Sequence, residues 1–167
     1  MDLPYEEQFP WAARRLDDEQ LRACIDETHS DAAIAGARPY PNAVETVNGW
    51  YDAGHEVHVA SHRAARAVAA TRAWLHAIGL RHHELFCGED KVAYCRQAGI
   101  GLLIDDSPPT LLRALDAGIR AATLRHPWTH DVCEAPAVLC ATGWEELARV
   151  LEPVLAADRP ASGQAGR

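Results

Sequence analysis

The chain repeats one phrase three times: Asp52-Ala53-Gly54-His55, Gln97-Ala98-Gly99-Ile100 and Asp116-Ala117-Gly118-Ile119. Each follows a stretch with helical spacing of apolar residues and precedes an apolar run. Glycine just past a helix takes a positive φ without a Cβ penalty, so each phrase reads as a helix stop followed by a strand. Helices alternating with short apolar strands restrict the fold to α/β. The expected architecture is a parallel sheet covered by helices on both faces and joined by right-handed crossovers.

The segments between the stops fit this frame. Val44, Val47 and Tyr51 fall on one helical face, with Pro41 suited to the first turn. Glu56 to Ser61 alternates as a short strand. Ala64 to Ile78 predicts a helix with Val68, Thr71, Leu75 and Ile78 on one side and Gly79 as its stop. Leu85-Phe86-Cys87 is a short apolar stretch, and Lys91 to Ala98 a brief helix. Ile100 to Ile104 is unbroken apolar sequence, as in a strand buried on both faces. A helix over Thr110 to Ala117, a strand over Ile119 to Leu124 and an edge strand over Ala137 to Cys140 complete the alternation. Thr142-Gly143-Trp144-Glu145 reads as a capping box opening a helix that runs to about Leu155.

Leu16 to Thr28 carries Leu21, Cys24, Ile25 and Thr28 at helical spacing but stands outside the alternation. The expected organisation is a helical cap-like segment over residues 1–38, an α/β core over 39–155 and a frayed tail over 156–167. A length of 167 residues suits one domain with a sizeable core.

The formal net charge of −8 argues against nucleic acid as the main partner, since such binding rests on Lys and Arg neutralising phosphates. It leaves room for a small anionic substrate, whose site needs only local positive charge. No basic region followed by an apolar run opens the chain, and no stretch has the length to span a bilayer. The expectation is a soluble, cytoplasmic protein with no membrane partner. Five scattered cysteines (Cys24, Cys87, Cys95, Cys133, Cys140) without a CxxC pair fit reduced thiols.

In open parallel sheets, ligands gather beyond the carboxyl ends of the strands. Two polar clusters stand there, Ser61-His62-Arg63 and Asp105-Asp106-Ser107. Adjacent carboxylates after a buried strand repel each other and lose solvation, and a hard cation such as Mg²⁺ relieves both costs. Asp-Asp-Ser-Pro is equally good turn chemistry. Ser61 offers a hydroxyl near a helix start, an arrangement that holds phosphate oxygens or simply caps the helix. His62 and Arg63 can add positive charge there, and Lys91 opens the short helix after Gly88-Glu89-Asp90.

Taken together, Ser61, Lys91 and Asp105-Asp106 occur in the order and context of three of the four motifs of the haloacid dehalogenase (HAD) superfamily. A strand ending in Ser (Val57-His58-Val59-Ala60-Ser61) resembles the second motif. Lys91 at a helix start resembles the third, and Leu102-Leu103-Ile104-Asp105-Asp106 the fourth. More narrowly, Pro41-Asn42-Ala43, Gly54-His55-Glu56-Val57, Trp74-Leu75, Ile104-Asp105-Asp106-Ser107-Pro108 and Gly118-Ile119 leading to His126-Pro127-Trp128 are similar to the 5′-(deoxy)nucleotidase-like branch of cytosolic type C and its bacterial relatives. The resemblance spans Pro39 to Leu151.

It implies a Mg²⁺-dependent phosphomonoester hydrolase acting on a small phosphorylated substrate. Asp105 and Asp106 would hold the metal, Ser61, His62, Arg63 and Lys91 the phosphate, and Ser61 and Lys91 would serve the transfer itself. The family nucleophile, an Asp-x-Asp after a central first strand, has no counterpart: Asp2 precedes Leu3-Pro4 with no strand before it, and Asp17-Asp18 opens an amphipathic helix. Three explanations follow: a longer natural protein beginning upstream, which the cap-like front segment favours; a fragment; or a catalytically inactive relative that pairs its two flanking strands directly and binds an anion or a protein partner. His126 and His130 are four apart, but Pro127 opposes a helix that would present both to a zinc ion. Phe9, Trp11 and Arg14 suit packing or a substrate base, and Trp50, Trp74 and Trp144 suit the core.

Overall fold

The computed structural model describes residue 12 and residues 14–157. Its elements alternate as the repeated phrase demands. In chain order they are α1 (Asp18–Thr28), α2 (Asp31–Gly36), α3 (Ala43–Asp52), β1 (His58–Ser61), α4 (Val68–Ala77), β2 (Glu84–Cys87), α5 (Lys91–Ala98), β3 (Leu102–Ile104), α6 (Pro108–Asp116), β4 (Arg120–Leu124), α7 (His130–Cys133), β5 (Val138–Ala141) and α8 (Trp144–Ala157). A 3-10 turn, Ala65–Ala67, leads into α4. Gly54, Gly99 and Gly118 all take positive φ, between +71° and +87°, as helix stops.

Among the described residues every strand pairing is parallel, but the strands form two separate sheets, β1-β2 and β3-β4-β5. Ser61 lies opposite Cys87 in the first; in the second, Leu103 lies opposite Ala121 and Thr123 opposite Cys140. Helices cover both faces of the larger sheet. On one, Leu147 and Leu151 of α8, with Trp50 of α3, pack on Ala122, Leu124 and Ala141. On the other, Leu111 of α6 and Val132 of α7 pack on Ala121 and Val138, while Val92 and Cys95 of α5 pack with Leu103, Ala114 and Ile119. This double cover is why Ile100 to Ile104, which contains β3, reads as a continuous apolar run.

Two helices span the seam between the sheets. In α5, Val92 and Cys95 contact Leu103 of β3, whereas Tyr94 stacks on Phe86 of β2 at 4.5 Å. The Tyr94 hydroxyl also shares a 2.7 Å hydrogen bond with Nδ1 of His58 in β1. In α3, Trp50 joins the larger sheet and faces Trp144 at 6.2 Å, while the Asn48 amide donates to the Gly79 carbonyl beside β2 at 2.9 Å. The expected direct pairing of flanking strands in an inactive relative is not the observed arrangement: β1 and β3 form no ladder.

Several boundaries differ from the sequence reading for local reasons. Helix α3 begins after Asn42, which takes a left-handed φ of 62°, so Pro41 lies in the preceding turn instead of the first helical turn. Helix α6 begins at Pro108, whose fixed φ suits the first turn. Around Thr142 it is Glu146, not Glu145, that reaches back, accepting the Thr142 N–H at 2.7 Å; α8 starts only at Trp144, which sets the reach one residue further on.

Two short helices, α2 and α7, carry no clear periodic signal. Helix α2 buries Ile34 completely, and the Trp74 indole of α4 donates to the Ala37 carbonyl at 2.8 Å, so the front segment is fastened to the core. Cys133 and Cys140, seven residues apart with Cα atoms at 5.7 Å, form a disulfide between α7 and β5, in contrast to the expected set of reduced thiols; Cys24, Cys87 and Cys95 are free. Phe9, Trp11 and most of the tail lie outside the described residues. Among the described residues no helix is long and apolar enough to cross a membrane.

Candidate functional site

The smaller sheet runs from β1 to β2, and the chain then crosses to β3 of the larger sheet through α5, whose Tyr94 meets both His58 of β1 and Phe86 of β2. In open parallel sheets the candidate crevice lies beyond the carboxyl ends of the strands. Ser61 ends β1, and Asp105 and Asp106 follow β3 directly. His62, directly after Ser61, lies within electrostatic reach of both Lys91 and Asp105.

Lys91 is delivered by the first turn of α5, held in place by the Asp90 side chain, which accepts the Ala93 N–H at 2.9 Å. Its ammonium forms an ion pair with Asp105, and both side chains are nearly excluded from water, at 8% and 4% exposure. A pair this buried depends on each partner being there, since removal of one leaves a costly bare charge. The second Asp105 oxygen accepts the Ser107 N–H at 2.9 Å, which fixes the carboxylate's orientation.

Asp106 is different. Loss of solvation around its carboxyl, and then the adjacent Asp105 charge, push its pKa above the usual carboxylate value, although the residue as a whole reaches solvent. Its carbonyl accepts the Trp128 indole N–H at 3.0 Å, which anchors the loop after β4, where His126 stacks on Trp128 at 4.4 Å.

Across the crevice, the Ser61 hydroxyl accepts the Arg63 N–H at 3.3 Å. His62 is neutral near pH 7: burial first, then the Lys91 charge, lowers its pKa to about 4, and Asp105 only partly opposes this. Arg63 turns away along α4, where its guanidinium donates to the Thr71 hydroxyl at 3.2 Å and lies 5.8 Å from the Trp74 ring. Of the residues expected to hold phosphate, His62 follows Ser61 directly and lies within electrostatic reach of Lys91, while the Arg63 charge is spent on the α2–α4 side. Neither shift of role was visible in sequence, since both depend on tertiary contacts.

Among the described residues, the charged groups placed together here are one cation, Lys91, and two carboxylates, Asp105 and Asp106. An anion entering this set meets net negative charge. A divalent cation reverses the balance, and oxygen donors suit Mg²⁺. The fit is partial, because both Asp105 oxygens already serve Lys91 and Ser107; Asp106 is the carboxylate with no cationic side-chain partner among those described. Among the described residues no group of three or more His, Cys, Asp and Glu side chains converges. Water and phosphate oxygens would have to complete a six-coordinate shell. His126 and His130 are not brought together as ligands; His126 is engaged with Trp128 and Tyr40.

No protein-family model, no curated protein and no solved structure matches the chain.

Proposed function

We propose that this chain is a Mg²⁺-dependent phosphomonoester-binding domain of the HAD hydrolase type, with a small phosphorylated molecule as its substrate. The observation that supports this reading best is the charge balance beyond the strand ends. On this reading Ser61 and Lys91 receive phosphate oxygens, beside an acidic pair that repels an anion unless a cation is present. On this reading Asp106, with Asp105, holds the metal. Bound there, Mg²⁺ supplies charge neutralisation for the phosphoryl oxygens. Ser61 donates its hydroxyl proton to one oxygen, and Lys91 places its ammonium against another. His62, uncharged, closes the side of the crevice without adding repulsion toward the metal.

The sequence holds no Asp-x-Asp after a strand, the pattern that supplies the attacking carboxylate in the family it resembles. This favours a second reading, an inactive HAD-like domain that binds an anion or a partner without turning it over. Both readings predict negligible hydrolysis of a generic phosphomonoester by this polypeptide; Mg²⁺-dependent anion binding is the expectation of the first.

The test is thermal unfolding with inorganic phosphate, MgCl2, or both. Phosphate is expected to stabilise the wild type only when Mg²⁺ is present, by about 2–3 kcal/mol at a hundredfold excess over the dissociation constant. Asp106→Asn should abolish the response. Equal stabilisation by phosphate without Mg²⁺, or an undiminished response in the variant, would overturn the proposal.

A further inference from the structure

We infer that Arg113 is a positioning residue for Lys91: through Asp90 it fixes the turn from which the Lys91 ammonium reaches Asp105. Lys91 is the only lysine in the chain. It is the first residue of α5, and its side chain is almost wholly buried against Asp105. A lysine carries its charge on a flexible four-carbon stem, so where the ammonium stands depends on how firmly the backbone beneath it is held. The first turn of a helix is also its weakest part, because its N–H groups have no partners within the helix.

The turn before Lys91 is held at both ends. At its start the Gly88 N–H donates to the Ser61 carbonyl at 2.9 Å, and a Cβ at Gly88 would meet the Phe86 ring at 2.7 Å, which leaves no room for a side chain. At its end one Asp90 oxygen, Oδ1, accepts both the Ala93 N–H and the Arg113 guanidinium, each at 2.9 Å. Burial opposes ionisation of Asp90, but these contacts outweigh it and hold its pKa below the ordinary carboxylate value.

Arg113 comes from a well-anchored helix, since Leu111 and Ala114 of α6 are fully buried. Ser107, at the head of α6, donates its N–H to Asp105. Helix α6 therefore holds both partners of the buried pair, Asp105 directly and Lys91 through Arg113 and Asp90. The Asp90–Arg113 pair is itself half-exposed, and such pairs add little to global stability. Its effect is local. The inference concerns where the Lys91 ammonium stands, whatever the crevice binds.

The test is acetylation of the full chain by an amine-reactive acetyl ester, with modification of Lys91 followed by peptide mass spectrometry. Labelling of the buried Cys95 thiol by a maleimide, in parallel, reports opening of α5 as a whole. Asp90→Ser keeps a helix cap but is too short to hold Arg113. Asp90→Ser and Arg113→Gln are each expected to acetylate about tenfold faster at Lys91 than the wild type, with Cys95 unchanged. Through charge alone the two would act in opposite directions, because one removes a carboxylate and the other a guanidinium. The double variant should be no faster than either single one. The inference is overturned if Arg113→Gln leaves Lys91 as slow as in the wild type, if the two substitutions shift its rate in opposite directions, if their effects add, or if Cys95 becomes reactive in step with Lys91.

Discussion

At the scale of single residues, the crevice shows how tertiary contacts reassign chemistry that a sequence can only nominate. His62 and Arg63 are both basic residues directly after a strand, yet one loses its charge to burial and the other turns it elsewhere. The His62 shift has a measurable sign. Its folded pKa of about 4 lies below the ordinary histidine value of 6.5, so between those limits the unfolded chain binds a proton that the native one does not. Stability should therefore fall as pH drops from about 6.5 to about 4. His62→Gln is expected to remove roughly 2 kcal/mol of that fall, read from urea unfolding at pH 4.5 and pH 7. Asp106 works in the opposite direction, since its raised pKa favours the native state as it takes up a proton. The comparison between wild type and variant isolates the histidine, provided a slope difference is found; identical slopes would contradict the burial of His62.

Elements are where the sequence speaks most clearly. Three Ala-Gly phrases located three helix ends, and the apolar runs after Gly99 and Gly118 became β3 and β4. Gly118 sits at φ +77° with open space around the position of a Cβ, so backbone strain alone opposes a side chain there. Gly118→Ala should cost about 1 kcal/mol in chemical denaturation. A neutral result would mean that the α6–β4 turn relaxes to another conformation. The elements that sequence missed are short: α2 and α7 run six and four residues, too few for periodicity to register. Helix α7 is held by the Cys133–Cys140 link to β5 and by the packing of Val132 on Leu111 and Ala121.

For the whole molecule, the defining feature is a sheet in two parts held together by helices. α3 and α5 carry the connection, and Trp50 is the largest side chain of α3 in the joint cluster. Trp50→Ala is expected to destabilise the protein by about 3 kcal/mol. Hydrogen exchange should then show the β1-β2 half losing protection before β3-β4-β5, because the larger sheet retains α6 and α8. Simultaneous loss across both halves would show that the two sheets unfold as one cooperative unit.

The sequence by itself determined the α/β alternation, the strand ends where polar residues gather, and the acidic pair after β3, because these follow from local periodicity and glycine conformation. Only the tertiary structure decided that the sheet divides at β1 and β3, that Lys91 is paired with Asp105, and that His62 is neutral. Pairing of strand edges and the electrostatic environment of a side chain depend on residues far apart in the chain, and no local pattern records which of them will meet.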